Sequence, residues 1–120
     1  PARVNPEEPP QLIRKRQMLA KACELMADHT ELPLSVEVLC QRIGTSRRTL
    51  NDVFQDLIGL SPARYQRALR LNGARRALRQ AKPGTTVQSV ATDWGFWHLG
   101  QFARDYRQLF GENPSATLSE

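Results

Sequence analysis

Cysteine is scarce in this chain: Cys23 and Cys40 are the two among 120 residues. Neither belongs to a CxxC pair or a Cys/His cluster, which argues against a zinc site. Set in apolar-patterned stretches, they read as small buried thiols of a reducing cytoplasm. Histidine is as rare, and neither His29 nor His98 has a second residue at metal-ligand spacing in the sequence. No apolar run approaches the length that spans a bilayer, and no signal-peptide pattern is visible, so the chain is read as a cytoplasmic protein without a membrane partner. Sustained period-two alternation is missing too, which leaves no strand and an all-α reading. There is no nucleophile–base pairing and no Gly-rich phosphate loop, so an enzyme is not expected and neither is a cofactor.

What is present is positive charge, unevenly placed. Residues 42–82 hold ten Lys+Arg against two Asp+Glu, out of 17 and 12 in the whole chain. A block this basic attracts polyanions, nucleic acid foremost. The N-terminal stretch PARVNPEEPP has four prolines in ten residues and reads as an interdomain linker, with a further N-terminal domain expected ahead of it.

Helical punctuation recurs after residue 10. Met18, Ala22, Leu25 and Met26 share one face of a helix expected from Gln11 to about Asp28. Ser35 is a plausible N-cap for a helix near 36–43, with Val36, Leu39, Cys40 and Ile43 buried and Gly44 ending it. Ser46 caps a helix at about 47–57 with Leu50, Val53, Phe54 and Leu57 inward. Ser61-Pro62 opens a long helix to about Ala81, with Tyr65, Ala68, Leu69, Asn72 and Leu78 alternating with arginines. Thr85 or Thr86 caps a fifth helix ending near Trp94. A sixth covers about 99–110, and Asn113-Pro114 opens a short seventh.

One pattern appears twice. Residues 39–62 and 90–114 each carry a short amphipathic segment, a turn glycine (Gly44, Gly95), a second amphipathic segment, then Gly and Pro. Leu50 pairs with Phe102, Phe54 with Tyr106, Leu57 with Leu109 and Ile58 with Phe110, all at an offset of 52. The turn glycines differ by 51, so the second turn is one residue longer. Two helix-turn-helix units suit a protein that places two helices in DNA grooves. The long helix between them, about 20 residues or roughly 30 Å, suits motifs set for neighbouring major-groove segments, about 34 Å apart.

The strings IGTSRRTLNDVFQDLIGLSPARYQRALRLNGARRAL and WGFWHLGQFARDYRQLFGENP resemble the C-terminal DNA-binding domain of the AraC/XylS family of bacterial transcription regulators, across about residues 12–118. GFWHLGQF is similar to a variant in ethanolamine-utilisation regulators. The resemblance implies seven helices: a first helix-turn-helix subdomain at 11–61, a connecting helix at 62–81 and a second subdomain at 82–120, after a linker at 1–10. It implies double-stranded DNA as partner, makes RNA polymerase a candidate partner, and points to a small-molecule effector bound by the N-terminal domain. Two departures stand out: His98 replaces a small capping residue, and Gly100 replaces a frequent serine. The competing reading is a helical protein-interaction module with a basic face.

With Leu50, Val53 and Phe54 inward, Arg47, Arg48, Asn51 and Asp52 remain on the outer face of the first motif. Arg48 has the fork for a guanine edge, Asn51 the amide for adenine, and Asp52 an acceptor for cytosine; family alignment also puts base readers at 48, 51 and 52. Arg47 reads as a phosphate clamp more than a base contact, and an intrahelical pair with Arg48 would account for Asp52 equally well. In the second motif the base-facing candidates are Leu99, Gly100, Ala103 and Arg104, a poorer set in which Arg104 stands out. Candidate phosphate contacts are Ser46, Arg47, Thr49, Thr86, His98, Gln101 and Arg107. Phe96 is expected to plug the core beneath the second turn and Trp94 to occupy the place of Ile43. Trp97 has no counterpart in the first motif.

Overall fold

The computed structural model describes residues 8–120. Most of the expected linker at 1–10 lies outside those residues. Within them the chain forms seven helices and no strand: α1 (Pro10–Ala27), α2 (Val36–Ile43), α3 (Arg47–Leu57), α4 (Pro62–Arg79), α5 (Val87–Asp93), α6 (Leu99–Phe110) and α7 (Pro114–Leu118). Helix α1 starts one residue earlier than expected, because Pro10 occupies a first-turn position where a missing N–H costs nothing. Helix α4 stops two residues short of Ala81; Pro83 biases Lys82 away from helical backbone. Packing gathers the described residues into two compact units. One contains the described residues up to Asp28 with Leu34–Tyr65, the other His29–Pro33 with Gln66–Glu120.

The first unit is built by α1, α2 and α3. Ser35 caps α2 by accepting from the Val38 N–H at 3.2 Å, and Gly44 closes it at φ +80°. Leu39 and Cys40 of α2 then meet Ala22 and Met26 of α1 and Leu50 and Phe54 of α3. Leu50 and Phe54 have no exposed surface, and burying side chains of this size stabilises by roughly 1.5–3 kcal/mol each. Tyr65 closes the cluster edge-on to Phe54, ring centroids 5.8 Å apart. Cys40 is buried as expected, but Cys23 is only half-buried. Its thiol faces Tyr65, whose phenol is pushed up first by that hydrogen bond and then by burial.

The second unit is built on α4. Its buried face is Leu71, Ala74 and Leu78, with Gln66. Of the residues that alternate with arginines in the sequence, Leu78 lies on that face, whereas Asn72 is exposed and turns its amide back to the Ala68 carbonyl at 2.8 Å. Val90 and Ala91 of α5 and Phe102 and Tyr106 of α6 complete the cluster. Thr86, not Thr85, caps α5, exchanging bonds with Ser89 in a capping box. Tyr106 is fully buried and donates its hydroxyl to Thr117 of α7 at 2.7 Å; the Thr117 hydroxyl donates in turn to Glu112. Burial is the main reason the Tyr106 phenol titrates above its ordinary value.

Candidate nucleic-acid interface

The paired pattern in the sequence is a pairing in burial as well. Leu50 and Phe102 are both inward, as are Phe54 and Tyr106. The register loosens at the helix ends, where Leu57 is partly buried and Leu109 is 49% exposed. The two helices of interest are therefore held from beneath at equivalent positions, which fixes the opposite face of each as the free one.

On α3 that face carries Arg48, Asn51 and Asp52, all exposed, at i, i+3 and i+4. Among the described residues no ion pair joins Arg48 to Asp52, and both residues are exposed. The helix starts rigidly. Ser46 accepts from the Thr49 N–H at 3.1 Å and donates to the Thr49 hydroxyl at 2.9 Å. Arg47 leans away from this face and pairs with Glu37 of α2 at 2.5 Å, with both side chains exposed. An exposed pair of this kind contributes under about 1 kcal/mol, so Arg47 can trade Glu37 for another anion cheaply. Lys15 of α1 pairs with Asp56 at 2.8 Å, and a shallow cleft brings Gln11, Arg14 and Lys15 beside Thr49 and Asp52. Nothing in the sequence spacing signals that Arg14 and Lys15 flank α3.

On α6 the free face is plainer. Leu99, Gly100 and Arg104 are exposed, while Ala103 is half-buried. His98 is the N-cap residue and provides no side-chain cap, as its identity implied. Gln101 is committed at both ends of its amide: Arg104 donates to its oxygen at 2.8 Å, and its nitrogen donates to Asp105 at 2.9 Å. Asp105 is also paired with Arg67 of α4 at 3.5 Å. A chain of polar contacts thus runs from α4 to the Arg104 guanidinium, a link the linear spacing did not reveal. Arg107 stands exposed in the last turn. Thr86 is exposed at the start of α5, with its hydroxyl engaged in the capping box.

The turn between α5 and α6 is tied down from α4. Arg70 donates to the Gly95 carbonyl at 3.3 Å and lies over the Phe96 ring at 4.8 Å, while Phe96 packs on Phe102 at 4.8 Å. Burial first, and the charge of Arg67 second, push the Arg70 guanidinium below its ordinary value. Phe96 and Trp94 both pack against the core of this unit, in keeping with their expected roles. Gly95 has φ +83°, and a β-carbon there would lie 2.9 Å from the Thr30 carbonyl oxygen. Gly100 is different, since a β-carbon on it meets nothing within 4 Å. Gly100→Ala is expected to raise the melting temperature by a few degrees, the gain of replacing a helical glycine by about 0.5 kcal/mol. A fall in a thermal melt followed by circular dichroism would contradict the open space.

Residues 39–120 match the family described as helix-turn-helix domain. Over 98 residues the chain is 37% identical to the probable thc operon regulatory protein of Rhodococcus erythropolis, covering 81% of this chain and 30% of that protein. A probable AraC family transcriptional regulator from Rhodopseudomonas palustris superposes with a TM-score of 0.79 at 36% identity, over 86% of this chain and 95% of that one. The DNA-binding domain of the global transcriptional factor AdpA, solved in complex with a target DNA, superposes with a TM-score of 0.76 at 28% identity, over 84% and 89%.

Proposed function

The chain belongs to the AraC/XylS family of transcription regulators and carries its sequence-specific DNA-binding domain, and from that premise we propose how the binding is divided among its residues. Helix α3 enters a major groove and reads bases through Arg48, Asn51 and Asp52. Helix α6 enters a second groove segment and reads through Arg104, with Leu99, Gly100 and Ala103 against the base edges. Ser46, Arg47 and Thr49 hold phosphates around the first helix; Thr86, His98, Gln101 and Arg107 hold them around the second. The division into subdomains at 11–61 and 82–120 joined by a connecting helix at 62–81 is part of this proposal.

The observation that carries the reading is the α3 surface. A guanidinium, an amide and a carboxylate project side by side from a capped helix whose other face buries Leu50, Val53 and Phe54. These are the side chains that distinguish guanine, adenine and cytosine in the major groove. Nothing in their packing employs them, for all three are exposed.

The chain acts by binding, with no reaction of its own, in the cytoplasm where its operator lies. Among the described residues no helix is long and apolar enough to cross a membrane. Because the chain spans 30% of the Rhodococcus protein, sequence outside it is the place for a small-molecule effector, and RNA polymerase is the partner on the promoter. Selection from random duplexes followed by footprinting tests the division of labour. Two protected major-groove segments with defined base preferences are expected. One segment only would remove α6 from base reading, and indifference to base order would overturn the reading altogether.

A further inference from the structure

Trp97 is 67% exposed, on the last turn residue but one before the second recognition helix. It is the consequence of the extra residue in that turn. In the first motif one residue, Thr45, separates Gly44 from the N-cap Ser46; in the second, Phe96 and Trp97 separate Gly95 from the N-cap His98. The space beneath the turn is already filled. Phe96 packs on Phe102 from below, and Arg70 lies over the same ring while bonding the Gly95 carbonyl. The indole therefore has no core position to fold into, and a tied-down backbone holds it out.

Its surroundings say what it meets. Trp97 lines two shallow clefts that flank the start of α6. One contains Leu99, Gly100 and Arg104, on the reading face, and the other contains Arg67 and Arg70. The indole is thus continuous with the reading face of α6, with Arg104 in one cleft and, in the other, Arg70 and an Arg67 that is paired with Asp105. An apolar ring with one N–H donor, beside the exposed Arg104 of the reading face, matches a deoxyribose-phosphate strand: the ring covers the sugar, and the N–H serves a phosphate oxygen.

We propose that Trp97 is a DNA-backbone contact, packing on one sugar and donating to the adjoining phosphate at the edge of the groove entered by α6. This rests on the DNA-binding reading of α6 and adds a positioning contact to it. Such a contact carries no base preference. It is also neutral, so its loss leaves the salt dependence intact.

The experiment uses this chain and a duplex that it selects from a random pool. Trp97→Ala is expected to weaken binding about tenfold, on the order of one buried aromatic face, and to weaken a scrambled duplex by a similar factor. Trp97→Phe, which keeps the ring and loses the N–H, is expected to fall between. Indole emission of the unaltered chain should shift on adding duplex, and that shift should vanish in Trp97→Phe, where Trp94 remains. An exposed side chain leaves the melting temperature unmoved, so a changed melt would disqualify the variant and leave the emission shift to decide. Unaltered affinity in Trp97→Ala with an unmoved emission, while the unaltered chain still prefers its selected duplex, overturns the contact and spares the DNA-binding reading. Absence of any duplex preference in the unaltered chain overturns both.

Discussion

Gly73→Ala is expected to lower the stability of the second unit by about 2 kcal/mol, within the range for forcing extra volume into a packed site, or roughly 10 °C in melting temperature. Helix propensity argues the opposite sign. Gly73 sits inside α4, where replacing glycine by alanine ordinarily gains 0.5–1 kcal/mol. The packing decides. A β-carbon on Gly73 would lie 2.1 Å from Cζ3 of Trp94 and 2.3 Å from its Cη2, so the indole must leave its place. That ring is rigid and packs against the core formed by Leu71, Ala74 and Leu78 with α5 and α6. Displacing it also disturbs the turn that carries Gly95 and Phe96. Trp94→Leu should relieve the clash, so the double variant should lose less than the two single losses added together. A melting temperature unchanged or raised in Gly73→Ala would show that Trp94 does not rest on Gly73.

Arg48→Ala is expected to cost about ten- to a hundredfold in affinity for the selected duplex, the 1–3 kcal/mol of one bidentate base contact, and to relax preference at one base position. Arg104→Ala should cost less discrimination. Arg48 is exposed and has no competing partner among the described residues, whereas Arg104 already donates to Gln101 at 2.8 Å. Its neighbours Leu99, Gly100 and Ala103 offer few polar groups to read with. Binding to single-base variants of the selected site checks the ranking. Equal loss of discrimination from the two substitutions would refute it.

Much of the architecture was legible in the sequence because its signals are local. Ser35, Ser46 and Pro62 mark helix starts, and Gly44 and Gly111 mark ends, through backbone geometry that needs no tertiary partner. The offset of 52 between the motifs carried the inward faces of α3 and α6. The buried face of α4 does not follow from the sequence, because residues there do not sort by polarity: Arg70 is half-buried over Phe96, while Asn72 is in solvent. The reason for Gly73 inside α4 lies in Trp94, distant in the chain, and is therefore not legible locally. The candidate site was legible residue by residue, yet its wiring was not. Spacing places Gln101 among phosphate contacts, whereas its amide is shared between Arg104 and Asp105, and only the fold brings Arg67 to Asp105.

Under the proposed reading of α6, the Arg67–Asp105 link would give natural variation a way to retune base preference from outside that helix. A substitution at Arg67 would remove one partner of the Asp105 carboxylate, which already accepts from the Gln101 amide nitrogen, and so change how firmly the Gln101 oxygen holds Arg104. Relatives with identical α6 helices but different residues at this position would then prefer different sites, and a recognition code compiled from α6 alone would misassign them.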